Sequence, residues 1–236
     1  MENETNPLKN TARFAGLLYL IWVITGIYGM MYIPSQIIVR GDTVATANNI
    51  LSNEFLFRSG IMNDLISSIV CVFLILALYK LLKQVNQPRA VLMVVLLMVT
   101  IPVVFIMEAL NIASLMMLKG EVLKTFELRE RQDLAAFFLK INDYGSMTLE
   151  MFWGLWLIPF GQLTYKSGFI PRILGVFLIL NGVAYIVHSC AYLLFPAYQM
   201  LVSQIAMPFW IIGEISITLW LLIKGVKNNI PAIDKA

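Results

Sequence analysis

The sequence predicts an all-α membrane protein, a polytopic bundle of six transmembrane helices with one amphipathic helix between the third and fourth spans. Its composition is the first reason, because 59% of the 236 residues are hydrophobic and only 13% are charged, whereas soluble domains carry about 25% charged residues. The second reason is the run 88–118, in which no charge separates Arg89 from Glu108. This run is longer than the roughly 20 apolar residues that cross a bilayer.

Six apolar runs recur along the chain, separated by polar links. The expected spans cover residues 14–33, 58–82, 88–118, 144–165, 170–194 and 200–223. The first span follows Lys9 and Arg13 and is interpreted as a signal anchor, because it is long and lacks a small-residue cleavage site. Pro34 is expected to end it. In the polar loop that follows, residues 43–57 have helical spacing.

The long polar segment 119–143 lies between the third and fourth spans and is rich in mixed charges. Its apolar residues recur at helical intervals at Leu123, Phe126, Leu134, Phe137, Phe138 and Ile141. This spacing predicts an amphipathic helix at the membrane interface or packed over the bundle. A solvated loop helix would have the same spacing, so both interpretations stay open.

The distribution of Lys and Arg predicts the orientation, because these residues are enriched in short cytoplasmic loops. Ten of the 17 fall on the side of the N-terminus, and the short links 80–89 and 166–172 contain no acid. Both termini are therefore expected in the cytoplasm, in a multi-pass protein of the cell membrane. The expected organisation is a cytoplasmic tail over 1–12, a membrane domain over 13–227 and a second cytoplasmic tail over 228–236.

Four acids and the only histidine lie inside the predicted spans. Ionisable groups at that depth are costly and usually functional, so they are expected to face protein or water rather than lipid. Given the predicted orientation, all of them lie in the outer half of the bilayer or near its centre. With one neighbouring amide, the candidate ligand-binding residues are Glu108, Glu214, Asn111, His188, Asp64 and Glu150.

Helical spacing gives these residues polar neighbours. Asn181, Tyr185, His188 and Tyr192 share one face of the fifth span, and Glu214 aligns with Trp210 and Thr218 in the sixth. No Lys or Arg lies in a span core to neutralise the acids, so at least some of the carboxyl groups are expected to be protonated. Such a cluster suits proton-coupled binding, cation binding or a metal. The favoured ligand of the outward-opening pocket is a small amphiphile, a cation or a lipid head group.

Other residues carry structural expectations. Gly154 with Gly161, and Gly175 with Gly182, are each two helical turns apart and predict close helix packing. Both cysteines fall inside predicted spans and are interpreted as buried apolar residues.

No catalytic residue and no metal ligand set is predicted, since the chain has one histidine and no HExxH, GxSxG or Walker pattern. The cofactor stays open. The expected partners are the lipid bilayer and a small-molecule or lipid ligand, and not nucleic acid, because no basic patch stands outside the spans.

Three function classes follow, the first of them favoured. The protein binds or transports a small ligand, with Glu108 and Glu214 as its central carboxyl groups. Alternatively, it is an intramembrane enzyme that modifies lipids or depends on a metal, with His188 among its acid–base or ligating groups. In the third class it is a membrane accessory or scaffold protein whose acids bond across helices.

Five phrases of the sequence are distinctive in combination: RFAGLLYL (13–20), GDTVATANNIL (41–51), ALYKLLKQVN (77–86), YKSGFIPRILG (165–175) and LWLLIKGVK (219–227). Together they resemble a bacterial six-span membrane family, known as domain of unknown function 4386. The resemblance covers about residues 10–228. It implies a protein of the bacterial cytoplasmic membrane and supplies no activity.

Overall fold

A computed structural model describes residues 7–227, and over that range the chain forms nine α-helices and no β-strand, which confirms the all-α class. The helices are α1 Pro7–Ile27, α2 Ile33–Ile37, α3 Thr43–Ser52, α4 Glu54–Leu82, α5 Gln87–Met98, α6 Thr100–Lys119, α7 Leu128–Lys166, α8 Arg172–Leu194 and α9 Gln199–Leu219. A π turn, Tyr28–Tyr32, joins α1 to α2, and a second π turn, Trp220–Lys224, continues α9. Of the predicted tails, residues 1–6 and 228–236 lie outside the described residues, and α1 already begins at Pro7.

Pro34 does not end the first membrane helix, contrary to the expectation from sequence. The chain stays helical to Ile37, and Ile38 is the first extended residue. Proline lacks an N–H and crowds the carbonyl one turn before it. The π turn directly before Pro34 widens the helix, with the N–H of Ile33 bonded to the carbonyl of Tyr28, so the helix passes the proline.

The loop after α2 folds as its spacing predicts. Helix α3 begins at Thr43, because Asp42 Oδ1 accepts a hydrogen bond of 2.8 Å from the N–H of Ala45, as an N-cap residue does. It ends at Ser52, and α4 starts at Glu54, one turn before the expected start of the second span.

The third span is interrupted once, between α5 and α6, close to Pro102. Because Pro102 has no N–H for the carbonyl one turn before it, the regular bonding fails there. At the same point Thr100 Oγ1 donates a hydrogen bond of 2.7 Å to the carbonyl of Leu97.

The amphipathic segment and the predicted fourth span form one helix, α7, which has 39 residues. At 1.5 Å per residue its length is about 58 Å, far more than the hydrocarbon core of a bilayer. A separate amphipathic helix is therefore not found. Leu123, which has a φ of 52°, and Phe126 lie in the turn before α7. No proline occurs in α7 before Pro159, so nothing separates its two parts.

Five stretches of the described residues are long and apolar enough to cross a membrane. They are Pro7–Ile37, Glu54–Leu82, Gln87–Lys119, Arg172–Leu194 and Pro196–Lys224. The predicted fourth span, 144–165, lies within α7 and is not among them. Glu150, Gln162 and several Trp, Gly and Thr residues lower its mean hydropathy. A count of six spans remains a prediction.

The described chain divides into two compact units. Unit 1 contains residues 7–21, 70–100 and 147–227, and unit 2 contains residues 22–69 and 101–146. Helices α1, α4, α6 and α7 contribute residues to both. In unit 1 the fully buried side chains include Tyr19, Leu78, Trp156 and Phe160. In unit 2 the apolar core includes Ile37, Ile50, Phe57, Leu115 and Ala135.

Candidate functional site

The structure distributes the six candidate residues over the two units. Glu150, His188 and Glu214 belong to unit 1, and Asp64, Glu108 and Asn111 belong to unit 2. Each unit therefore holds its own group of candidate acids. Seven polar and aromatic residues of unit 1 are called the histidine cluster below. They are Glu150, Trp153, Asn181, Tyr185, His188, Trp210 and Glu214. Asp64 and Glu108 are called the acid pair.

Helices α7 and α8 approach closely at two glycine contacts, and this positions the histidine cluster. A Cβ on Gly154 would lie 2.5 Å from the carbonyl oxygen of Gly182, and one on Gly161 would lie 2.6 Å from that of Gly175. Only glycine permits such backbone contact, which confirms the close packing predicted from the glycine spacing.

The Glu150–His188 pair joins the two helices one turn beyond the Gly154–Gly182 contact. His188 Nδ1 lies 2.6 Å from Glu150 Oε2, and the two residues are only 5% and 4% exposed. A hydrogen bond this short is typical of a charge-assisted pair. Next to it, Ser189 Oγ donates a bond of 2.7 Å to the carbonyl of Met147 and adds a second link between α8 and α7.

Glu214 is held by two neutral donors from α8. Tyr185 donates its hydroxyl hydrogen to Glu214 Oε1 at 3.0 Å, and the Asn181 amide donates to the same oxygen at 3.3 Å. The two helices are close here, since a Cβ on Gly213 would lie 2.7 Å from the Cβ of Asn181. The carboxyl group is thus oriented by hydrogen bonds that carry no positive charge.

Aromatic rings surround these polar groups. Tyr185 and Trp210 stack with ring centroids 5.2 Å apart and planes inclined by 18°. Two further ring pairs are arranged edge to face, Trp153 with Tyr185 at a centroid distance of 6.3 Å and His188 with Trp210 at 5.1 Å. Trp153 was not among the residues predicted from sequence, although its place one turn after Glu150 on α7 would have indicated it.

Three polar atoms of the histidine cluster are buried without a hydrogen-bond partner among the described residues. They are His188 Nε2, Trp210 Nε1 and Asn181 Oδ1. Native proteins rarely bury polar groups unpaired, and each such group calls for an explanation, such as a bound molecule. Asn181 is fully buried, so its free oxygen is not directed at lipid.

The acid pair forms the second group, in unit 2. The side chains of Asp64 and Glu108 interact directly, and Glu108 Oε2 also accepts a bond of 2.9 Å from the Asn111 amide. Asn63 donates 2.9 Å bonds to Asp64 Oδ1 and to the carbonyl of Thr25. Two carboxyl groups that interact repel each other when both are ionised, and a proton held by one of them would relieve that repulsion.

The π turn Tyr28–Tyr32 lies against the acid pair. A Cβ on Gly29 would collide with Asp64 Oδ1 and would lie 2.9 Å from Asn63 Nδ2. Thr25, in the preceding turn of α1, donates a hydrogen bond of 2.9 Å to Ser67 Oγ. Thr25 and Gly29 were not predicted as site residues, because a single Thr or Gly in an apolar helix has no spacing that marks it.

No Lys or Arg within residues 7–227 forms an ion pair with an acid of either group. The Lys and Arg ion pairs of that range involve Glu54, Glu121 and Asp143. Over the same described range, no group of three or more His, Cys, Asp or Glu side chains could hold a metal ion.

These helices define a class of protein. Large apolar side chains are exposed along the candidate spans, including Ile24, Phe73, Ile106, Val187 and Ile205. Exposed apolar surface of this extent is stable in lipid, where helices satisfy their backbone hydrogen bonds internally. The molecule is a helical membrane protein with buried acidic groups.

Within that class, the chain belongs to the family described as domain of unknown function (DUF4386), whose profile matches residues 14–225. This confirms the resemblance seen in the sequence. An uncharacterized protein of Archaeoglobus fulgidus is similar to it, with 31% identity over 170 residues, which are 69% of this chain and 86% of the relative. No solved structure matches the chain.

Proposed function

We propose that the protein binds a small amphiphilic cation in the histidine cluster, through Glu214 and the aromatic rings beside it. The observation that carries this proposal is the environment of Glu214. Its carboxyl group accepts hydrogen bonds from Tyr185 and Asn181, stands beside stacked rings, and has no Lys or Arg ion-pair partner among the described residues. An ionised Glu214 would therefore need a positive charge from a ligand.

The rings favour an organic cation over a small metal ion. A cation above the face of a Trp or Tyr ring gains about 2 kcal/mol or more where water is excluded. Trp210 and Tyr185 stack on each other, so the faces turned away from that stack are the ones that a cation would meet, and Trp153 adds a third ring. Apolar groups on the cation would contact these rings as well.

The other predicted site residues complete the proposal. Glu150 of α7 and His188 of α8 line the ligand site where these two helices meet. Asp64, Glu108 and Asn111 form a second acidic group that holds a proton, and its release or uptake accompanies binding. The pocket opens outward in a protein of six spans, with both termini in the cytoplasm, and the fourth span is the second half of α7.

Two independent observations support the placement of both termini in the cytoplasm. The five apolar stretches leave α7 as the only described helix long enough to supply another crossing. An even number of crossings puts both termini on one side, and the excess of Lys and Arg in the short links 80–89 and 166–172 puts that side in the cytoplasm.

Equilibrium binding of tetraphenylphosphonium to the purified protein in lipid nanodiscs tests the proposal. We expect one saturable site in the wild type. Glu214→Gln removes the charge but keeps the shape, and should weaken binding at least about tenfold, equal to about 1.4 kcal/mol. Glu121→Gln, at an exposed acid after α6, is the matched control and should bind as the wild type does.

Equal affinity of the wild type and Glu214→Gln would reject the site. Absence of saturable binding, together with a large loss of thermal stability in Glu214→Gln, would favour the scaffold class, in which Glu214 serves only to bond α9 to α8.

The Glu150–His188 pair supports one alternative, an intramembrane enzyme that acts on lipids. A histidine oriented by a buried carboxylate is the usual form of a general base. Incubation of the purified protein with radiolabelled lipid extracts would test this. Turnover by the wild type that is lost in His188→Gln would favour the enzyme over the binding protein.

A further inference from the structure

The unpaired atoms of the histidine cluster indicate a further chemical group on the ligand. His188 Nε2 and Trp210 Nε1 are both buried without a hydrogen-bond partner in the described part of the chain. The centroids of the two rings are 5.1 Å apart. Neither atom belongs to the proposed cation site, which consists of the Glu214 carboxyl group and the faces of the aromatic rings beside it. His188 is 5% exposed, so its free nitrogen is not satisfied at the lipid surface.

The chemistry of the two atoms is complementary. The indole Nε1 of Trp210 can only donate a hydrogen bond. The tautomer of a histidine is set by the bond that its other nitrogen makes. An ionised Glu150, whose Oε2 lies 2.6 Å from Nδ1, accepts a hydrogen bond from Nδ1–H, and in that tautomer Nε2 presents a lone pair. The pair thus offers one donor and one acceptor.

A hydroxyl group satisfies both atoms at once, because it donates one hydrogen bond and accepts others. We infer that the ligand is a hydroxyl-bearing ammonium amphiphile, whose hydroxyl group lies between His188 Nε2 and Trp210 Nε1 and whose ammonium group faces Glu214. This inference rests on the proposed function and specifies its ligand class.

The register of α9 agrees with one molecule that reaches both points. Trp210 and Glu214 are four residues apart, about one helical turn or roughly 6 Å along the axis. A short alkyl link between the ammonium and the hydroxyl group spans that separation. Two residues of α8 that are two turns apart face the same pair of α9 residues. Asn181 donates a hydrogen bond to Glu214, and His188 contacts Trp210.

Two detergent-like probes that differ in one hydroxyl group test the inference. They are dodecyl(2-hydroxyethyl)dimethylammonium and dodecylethyldimethylammonium, and the readout is the ratio of their Kd values on the full-length protein in nanodiscs. We expect the hydroxyl probe to bind the wild type at least about tenfold more tightly, because the other probe leaves two buried polar atoms unpaired.

Trp210→Phe removes the donor and keeps an aromatic face, and His188→Phe removes the acceptor. Both should bring the ratio close to one, whatever their effect on the affinity for either probe alone. Trp220→Phe is the matched control, since Trp220 Nε1 is also buried without a partner but lies ten residues further along, outside the cluster. It should keep the wild-type ratio. If His188→Phe does not fold, Trp210→Phe carries the test.

The outcomes separate this inference from the proposed function. Equal Kd values for the two probes on the wild type, with Glu214→Gln still weakening both, would overturn the hydroxyl site and leave the cation site standing. Such a result would assign the space between His188 and Trp210 to bound water. A ratio that persists in Trp210→Phe and His188→Phe would also overturn it. Failure of both probes to bind would overturn both proposals.

Discussion

His188 Nδ1 lies 2.6 Å from Glu150 Oε2, and this buried pair ties α8 to α7 across 38 positions of sequence. Removal of one partner leaves the other polar group in an apolar interior. We expect Glu150→Ala or His188→Ala to lower the free energy of unfolding by about 3–5 kcal/mol. Reversible unfolding in mixed detergent and dodecyl sulfate micelles would measure the loss.

Glu150→Gln separates hydrogen bonding from charge at the same position. Its amide oxygen still accepts from His188 Nδ1–H, so we expect a loss of only about 1 kcal/mol. The double variant Glu150→Ala with His188→Ala should be less destabilised than the sum of the two single variants, because the two residues contact each other. Additive losses would show that the pair has no energetic coupling.

The glycine contacts between α7 and α8 give a second prediction. Gly154→Ala would place a Cβ 2.5 Å from the backbone oxygen of Gly182, and backbone atoms cannot move aside. We expect a loss of about 1–3 kcal/mol in the same unfolding measurement. Gly26→Ala in α1 is the matched control, because nothing lies within 4 Å of its added Cβ.

Gly26→Ala should leave the free energy of unfolding unchanged or raise it by about 0.5–1 kcal/mol, as alanine does when it replaces glycine at an open helical position. Similar losses for Gly154→Ala and Gly26→Ala would mean that the α7–α8 contact does not depend on glycine.

The acid pair predicts reactivity toward dicyclohexylcarbodiimide, which modifies protonated carboxyl groups in apolar surroundings. Because Asp64 and Glu108 contact each other without a Lys or Arg ion-pair partner among the described residues, one of them should be modified at neutral pH. Glu54 is the internal control. It is ionised between Arg58 Nε at 2.7 Å and Lys119 Nζ at 3.1 Å and should not react. Peptide mass spectrometry would locate the adduct.

Equal modification of Glu54 and the acid pair would contradict a shared proton. The variant Glu108→Gln tests the assignment further, because an adduct on Asp64 that is lost in this variant depends on the partner carboxyl group rather than on burial alone.

The proposed topology predicts which loops face the cytoplasm. In a background without Cys71 and Cys190, we expect Lys124→Cys to react with a membrane-impermeant maleimide added to intact cells, and Lys83→Cys to react only after the cells are opened. The reverse pattern would invert the orientation. Labelling of both positions from outside would reject the single crossing, Gln87–Lys119, that is predicted between them.

The sequence alone predicted the all-α class and the long apolar helices. Long apolar runs must be helical in lipid, because no water is present to satisfy the backbone. The spacing of Gly154, Gly161, Gly175 and Gly182 indicated where two helices touch. Each of these properties depends on residues that are neighbours on one helix, so periodicity reveals them.

The tertiary structure decided which helices meet, and therefore which side chains lie next to each acid. Periodicity places Glu108 and Glu214 on faces of their own helices, but it does not identify the helix opposite. Glu108 pairs with Asp64 in unit 2, whereas Glu214 bonds Tyr185 and Asn181 in unit 1.

The first half of α7 is likewise placed by contacts over long sequence distances, such as the hydrogen bond of 3.2 Å that Ser114 Oγ donates to the carbonyl of Ala135. A sequence determines the local conformation and burial pattern of each helix. Which side chains share a site depends on the packing energy of the whole chain, which no single segment contains.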